Sequence, residues 1–199
     1  MSVIPSTFLA RSIMALVVLF AANACFADWT LEREQSHLNF ISVKKTTVAE
    51  THQFKRFSGK IDSQGNTQID IDLSSVDTAI GIRDTRLQTM LFETSLYPKA
   101  TLSAKVDTSI VTGLNVGETT TTEMNFELSL HGATQALSGK VQVTALSGQQ
   151  FLVTTLTPVI IKASDFNLGS GIDKLKAAAK LPSIDTAIPV TASWVFKKQ

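Results

Sequence analysis

Apolar and polar residues alternate along most of this 199-residue chain. In residues 69–73, which read IDIDL, apolar residues take the odd positions and aspartates take the even ones. A two-residue period places the apolar side chains on one face, as in a β-strand with one buried side. The same alternation marks residues 100–106, 124–131 and 190–196, and further strand-like runs read KVQVTAL, QQFLVTTL and PVIIKA. The chain is therefore expected to be built mainly of half-buried strands.

Turn-forming residues separate these strands and favour antiparallel pairing. Segments rich in Gly, Asn, Asp and Ser lie at residues 62–66, 113–118, 131–134 and 146–149. Only residues 85–93 and 171–181 look helical, so helices do not alternate regularly with strands as they do in parallel α/β proteins. The pattern predicts an antiparallel barrel or sandwich.

Alternation alone also fits a barrel that spans a membrane, with its apolar face turned to lipid. Three features favour an apolar face turned inward: short turns on every side, one Tyr and two Trp in the whole chain, and the charged ending KKQ. Membrane barrels instead have longer loops on one side and aromatic belts at both interfaces. We therefore expect the apolar face of the strands to form an interior.

The first 27 residues have the layout of a secretory signal peptide. They carry one basic residue, no acid, an apolar run too short to span a bilayer, and the small residues of NACFA. Cleavage after Ala27 leaves residues 28–199 as a single domain, whereas cleavage after Ala24 leaves Cys25 first. A lipid anchor on Cys25 is the less favoured outcome, because an alanine lies three places before it where a large aliphatic residue is usual.

Composition excludes several functional classes. Without the basic residue of the signal peptide, 17 Lys and Arg balance 17 Asp and Glu, so the protein has no excess of positive charge to attract nucleic acid. Cys25 is the single cysteine, which excludes disulfides within the chain and thiolate metal sites. His37, His52 and His131 lack metal-ligand spacing, and there is no nucleophile elbow, P-loop or dinucleotide motif. We therefore predict no metal, no cofactor and no enzymatic activity.

Residues 80–94, IGIRDTRLQTMLFET, combine charged residues with a helical period. Thr85 and Gln88 form a capping-box pattern, which predicts a short helix that starts there. Leu87, Met90 and Leu91 then share one apolar face. This helix is expected to cover an opening or a flank of the barrel.

Arg83 and Asp84 precede the predicted helix. Asp84 then lies near the positive end of the helix dipole, and Arg83 pairs with it or with a carboxylate at a strand end. The favoured interpretation is that Arg83 and Asp84 are structural and hold this helix in place as a lid on the barrel. Contact with the head group of a ligand is the alternative.

Eleven phenylalanines supply much of the apolar bulk. Those that lie after the signal peptide are Phe40, Phe54, Phe57, Phe92, Phe126, Phe151, Phe166 and Phe196. An eight-stranded barrel is just wide enough either to be filled by side chains or to hold one ligand. These residues alone fit two interpretations, a packed core and a ligand cavity.

Five motifs resemble the YceI-like family in their order and spacing. They are SHLNF at residues 36–40, FKRFSGKID at 54–62, SVDTAIGIRDTRLQTMLFE at 75–93, YPKATLSAKV at 97–106 and LSLHGATQAL at 128–137. The resemblance covers essentially the whole chain after the signal peptide, including ASDFNLGSG at residues 163–171 and the final strand. Each motif is weak alone, but the group is specific.

The resemblance implies an all-β fold with one or two short helices, an antiparallel lipocalin-like β-barrel of about eight strands exported to the bacterial periplasm. It also implies that the barrel binds, and carries or stores, a long-chain isoprenoid or another amphiphilic lipid such as a polyprenyl quinone. The alternative is a structural or stress-response barrel with a filled core that acts through protein partners. Transient contact with a membrane or a membrane protein, and a dimer, fit either interpretation.

Two positions depart from the family pattern. Ser36 and His37 stand where members commonly have His-Ser, and His52 stands where many have glycine. A titratable side chain at that position is expected to narrow the pocket or make it more polar. His52, Arg83 and Asp84 are therefore the candidates for a head group or rim. The candidate residues of an apolar ligand-binding wall are Phe40, Phe54, Phe57, Ile71, Leu73, Leu87, Leu91, Phe92, Phe126 and Leu128.

Overall fold

Strands make up most of residues 27–199, the part of the chain that this computed structural model describes. The strands are β1 Ala27–Leu31, β2 His37–Lys44, β3 Val48–Phe54, β4 Phe57–Asp62, β5 Asn66–Asp72, β6 Val76–Asp77, β7 Lys99–Lys105, β8 Thr119–Leu130, β9 Ala133–Leu146, β10 Gln150–Thr155, β11 Val159–Lys162 and β12 Ala187–Lys198. The helices are α1 Gly81–Arg86, α2 Ser109–Thr112 and α3 Gly169–Ala178. A π-helical turn, Leu87–Leu91, continues α1, and 3-10 turns lie at Arg33–Gln35, Leu73–Ser75 and Ala163–Phe166. The predicted signal peptide lies outside the described residues except for Ala27.

Eight of these strands close into an antiparallel barrel. Around the ring the order is β1, β4, β5, β7, β8, β9, β10 and β12, and β12 returns to β1. That last pairing places Trp29 opposite Lys198 and Leu31 opposite Phe196. Strands β2, β3, β6 and β11 extend the wall beyond the ring through pairing with β12 and with one another. The predicted lipocalin-like barrel of about eight strands is confirmed.

The two faces of each strand follow the alternation seen in the sequence. On β8 the side chains of Leu128 and Leu130 are buried, whereas Glu127 and Ser129 are exposed. On β5, Ile69 and Ile71 are buried on the same inner side. Burial of each such side chain contributes about 1.5–3 kcal/mol. The apolar faces of all the strands therefore share one interior.

The first helix begins four residues before its predicted start. Thr85 lies inside α1, where its Oγ1 donates to the carbonyl oxygen of Gly81 at 3.0 Å. The predicted capping box is therefore wrong, and Arg83 and Asp84 lie within the helix rather than before it. A contact with the segment just before the helix explains the difference, because the Asp84 carboxylate accepts from both the backbone N–H and the hydroxyl of Thr78 at 2.9 and 2.5 Å.

The helices lie at opposite ends of the barrel. The segment with α1 and the π-helical turn joins the end of β5 and β6 to the start of β7, and α3 joins the end of β11 to the start of β12. Both connections lie at the same end, which we call the lid end. The short helix α2, which was not predicted, joins β7 to β8 at the far end. Within residues 27–199 no helix has the length and apolarity needed to cross a membrane.

Candidate functional site

A cavity of about 290 Å³ runs inside the barrel. Its lining includes Leu91 and Leu175 at the lid end and Ile110 and Val111 at the far end. The volume is close to the lower limit of about 300 Å³ that is typical of ligand pockets. A space that is this narrow but reaches both ends suits a thin, extended chain better than a compact ring system.

Small residues explain why the barrel cavity is not filled. Ala100, Gly139 and Ala192 all line it, from three different strands. A Cβ added at Gly139 would come within 2.9 Å of the Val159 side chain, so the wall is tightly packed around the space. The interior therefore combines close packing in the wall with unoccupied room along the axis.

A larger but shallower concavity of about 940 Å³ lies on the outer face of the barrel wall. Its side chains are mostly polar or charged, as in Lys60, Gln68, Lys105 and Glu127. It is more open to solvent than the barrel cavity, although Phe126 and Leu137 contribute apolar surface to it. The barrel cavity is therefore the candidate site.

Nine of the ten residues predicted to form an apolar wall line the barrel cavity: Phe40, Phe54, Ile71, Leu73, Leu87, Leu91, Phe92, Phe126 and Leu128. Phe57 does not line it. Phe57 is only 6 % exposed, but its ring packs beneath the guanidinium of Arg33, whose Cζ lies 4.4 Å from the ring centroid. Phe57 thus belongs to the packed core. Ligand contact by the other nine stays a prediction.

Several lining residues were not among the predicted wall residues. They include Ser42, Asp107, Phe151, Ile172, Leu175, Asp185 and Trp194. A signal existed for most of them, because Phe151 and Trp194 lie on predicted strands and Ile172 lies on the apolar face of a predicted helix. Ser42 also carries such a signal, since it follows Phe40 by two residues and therefore shares its face.

The lid end is closed by apolar contacts between the two helical segments and the hairpin of β2 and β3. The rings of Phe40 and Phe54 lie 5.4 Å apart, and those of Phe54 and Phe92 lie 5.9 Å apart. A Cβ added at Gly171 of α3 would come within 2.7 Å of the carbonyl oxygen of Met90. The absence of a side chain at Gly171 thus lets α3 pack directly on the π-helical turn.

Charged residues fasten α1 to β3. The Arg83 Nη1 lies 2.9 Å from Glu50, and its Nη2 donates to the Thr78 carbonyl oxygen at 2.7 Å. Lys44 lies 2.5 Å from the same Glu50 carboxylate. The hydrogen bond from Lys44, together with the Arg83 charge, outweighs partial burial and lowers the pKa of Glu50. Neither Arg83 nor Asp84 lines the barrel cavity, and their contacts fit the structural role that was favoured for them, which stays a prediction.

His52 is buried beside the cavity, with only 4 % of its surface exposed. Its Nε2 lies 2.8 Å from the hydroxyl of Ser42, and its ring packs against that of Phe40 at 5.1 Å. Its Nδ1 has no hydrogen-bond partner among the described residues. Burial, and secondarily the charge of Arg83, lowers the pKa of His52 below its ordinary value. The ring is therefore neutral at pH 7.

His131 and His52 make separate contacts on different elements. His131 pairs with Glu93 at 3.1 Å beneath the ring of Tyr97, and His52 bonds to Ser42. Neither histidine makes a hydrogen bond with Arg83 or Asp84. No cluster of three or more His, Cys, Asp or Glu able to hold a metal ion occurs in residues 27–199.

Comparison with known proteins gives matches to a protein family and to solved structures. The model of the YceI-like domain matches residues 29–196. A polyisoprenoid-binding domain from Saccharophagus degradans, implicated in plant cell wall breakdown, is 38 % identical, and the match covers 87 % of this chain and 100 % of that one with a TM-score of 0.85. BcnA from Burkholderia cenocepacia shares the fold at 21 % identity, with 83 % of this chain and 98 % of that chain covered and a TM-score of 0.65. No curated protein sequence matches.

Proposed function

Because this chain belongs to the YceI-like domain family, we propose that it binds a polyisoprenoid or a related long-chain lipid inside its barrel. The observation that carries the proposal is the almost wholly apolar lining of a cavity enclosed by strands. The similar domain from Saccharophagus degradans, described as polyisoprenoid-binding, supports it. No catalytic step is part of the proposal.

The energetics suit a long apolar chain. Each methylene-sized group transferred from water to an apolar interior contributes about 0.8 kcal/mol, so one five-carbon isoprene unit contributes up to about 4 kcal/mol. The cavity reaches from Leu91 at the lid end to Val111 at the far end. Several units in contact with this lining would offset the entropy lost by ordering a flexible chain.

We further propose that the protein is exported to the periplasm and there carries or stores its lipid. The layout of residues 1–27 supports export. A lipid that is insoluble in water needs an apolar enclosure to cross an aqueous compartment. The alternative, a filled barrel that acts only through protein partners, expects side chains to occupy the interior, which the cavity of about 290 Å³ argues against.

The lid end is the surface that we propose to make transient contact with a membrane. Ile80 and Ile82, at the start of α1, are 47 % and 61 % exposed. Arg86, a basic residue, follows them on the same helix. Exposed aliphatic residues beside a cation suit the interface of an anionic bilayer.

Vesicle sedimentation tests this contact. Binding should be stronger to phosphatidylcholine vesicles that contain phosphatidylglycerol than to phosphatidylcholine alone, and Ile82→Asp should weaken it. Leu156→Asp, at a leucine outside the lid end that is 46 % exposed, is the control. Equal weakening by both variants would contradict a role for this end of the barrel.

Uptake of a polyprenyl quinone by the purified full chain, followed by native mass spectrometry, tests lipid binding. Ala192 lines the cavity, so Ala192→Phe should fill the space and abolish uptake. Ala136 is exposed on the outside of β9, so Ala136→Phe should leave uptake unchanged. A consistently lipid-free mass of protein purified from its own periplasm, together with no uptake, would contradict the proposal.

A further inference from the structure

The inner face of the β2–β3 hairpin changes from apolar to charged along its length. Since alternate residues share a face, Phe40, Ser42 and Lys44 follow one another along β2. On β3, His52 lies opposite Phe40, and Glu50 lies opposite Ser42. The apolar lining of the cavity therefore ends at a hydrogen-bonded serine and histidine, just before the charged residues of the lid.

Burial determines the hydrogen-bonding role of Ser42. His52 is neutral and one of its ring nitrogens carries a proton. A proton on Nδ1 would leave a buried N–H group with no acceptor among the described residues, whereas a proton on Nε2 is donated to Ser42 across 2.8 Å. With Nε2 as the donor, the Ser42 oxygen accepts and its own hydroxyl proton is free for an acceptor in the cavity. Ser42 itself lines that cavity.

The charges around the cavity disfavour an anionic ligand. Its lining includes two aspartates, Asp107 and Asp185, and no Lys, Arg or His among the residues that the structure describes. Hydrogen bonds from Ser109 lower the pKa of Asp107, which keeps it ionised. Lys44, two residues after Ser42, and Arg83 share the single carboxylate of Glu50. A phosphate buried here would compete with Glu50 for these two cations and would lose its own hydration, at a large desolvation cost.

We propose that Ser42, positioned by His52, donates a hydrogen bond to an uncharged oxygen acceptor on the head of the lipid, and that the site selects such heads over phosphate-bearing ones. The acceptor is a carbonyl, ether or hydroxyl oxygen on the end of the bound lipid that lies at the lid end of the barrel. This inference rests on the proposed lipid binding. It adds the residue that contacts the head group of the lipid and the chemical class of that head group.

Affinities of the full chain for two uncharged probes test the role of Ser42. The probes are a polyprenyl benzoquinone, which has carbonyl acceptors, and squalene, an isoprenoid hydrocarbon without a head group. Ser42→Ala should weaken quinone binding about five- to ten-fold, as expected for one lost hydrogen bond, and leave squalene binding unchanged. Ser129→Ala, on the outer face of β8, should change neither affinity.

Variants of His52 test its positioning role. His52→Leu removes the donor to Ser42 and should weaken binding of the quinone several-fold without affecting squalene. His52→Gln keeps an N–H donor in that position and should restore most of the quinone affinity. Thermal unfolding followed by circular dichroism reports whether each variant is folded. Equal loss of quinone and squalene binding in a folded His52→Leu variant would overturn the positioning role.

A polyprenyl diphosphate with the chain length of the quinone tests selection of the head group. We expect at least ten-fold weaker binding than for the quinone. Equal or tighter binding of the diphosphate, or unchanged quinone affinity in Ser42→Ala, would overturn this inference while the proposed lipid binding stands. If the unaltered protein binds neither the quinone nor squalene, the proposed function fails and this inference fails with it.

Discussion

Arg83 shows at the scale of a single residue how the lid is held. Arg83→Ala removes the contact with Glu50 and the bond to the Thr78 carbonyl. The Arg83 and Glu50 side chains are 25 % and 31 % exposed, so solvent screens the pair and we expect a loss of about 1 kcal/mol. The Tm should fall by about 2–4 °C with lipid affinity unchanged, as measured by calorimetry and lipid titration. Arg86→Ala on the same helix is the control. Lower lipid affinity at an unchanged Tm would contradict this role.

Asp77 gives the fold a defined sensitivity to acid. Hydrogen bonds from Lys55, the Ala79 backbone N–H and Gln53 lower its pKa from 3.8 to about 2. Because the folded state binds this proton less tightly, the contribution to stability is present above about pH 4 and is lost as the pH falls towards 2. Asp77→Asn should therefore flatten the decrease of Tm between pH 4 and pH 2. Asp173→Asn, on the exposed side of α3, should leave that decrease intact.

Prediction at this scale was good where residue type decides the environment and poor where tertiary contacts decide it. Ile71 and Leu128 were placed in the interior from alternation alone. Phe57 obeyed the same alternation but packs beneath Arg33, which is remote in sequence from β4. The hydrogen bond of His52 with Ser42 also joins two strands, so no local pattern indicates it.

Between elements, the contact of α3 with the π-helical turn depends on Gly171. A side chain there would overlap the backbone of Met90 and Leu91, since an added Cβ lies 2.7 and 2.8 Å from their atoms. Gly171→Val should cost about 1–3 kcal/mol through overpacking, measured by urea unfolding. Gly169→Val in the same helix meets nothing within 4 Å, so it is the matched control. Equal losses in both variants would point to helix propensity rather than to packing.

The strands were more predictable than the helices for a physical reason. A strand that borders one interior repeats its apolar residues every two positions, whichever strands pair with it. The lid helix instead begins at Gly81 because Asp84 bonds to Thr78. Its second half widens into a π-helical turn, in which the N–H of Phe92 bonds to the carbonyl of Leu87. Neither contact is part of the apolar period from which the helix was predicted.

At the scale of the whole molecule, closure of the barrel brings the two ends of the described chain together. Phe196 on β12 is 2 % exposed and stacks on Phe151 at 5.2 Å, and Phe151 meets Trp29 of β1 at 4.8 Å. Phe196→Ala should cost about 3–5 kcal/mol, because it opens a cavity at the junction. Urea unfolding followed by tryptophan fluorescence measures this loss. Ile160→Ala, at a side chain that is 47 % exposed, should cost far less.

The sequence by itself determined which face of each strand is apolar, and hence that the strands enclose an apolar interior. This follows because a two-residue period and the burial of apolar area depend only on local order. The tertiary structure alone decided that the interior keeps a cavity of about 290 Å³. That volume depends on how the closed ring brings the small residues Ala100, Gly139 and Ala192 around the same space. These residues lie on strands that are distant in sequence, so no local pattern indicates that they meet.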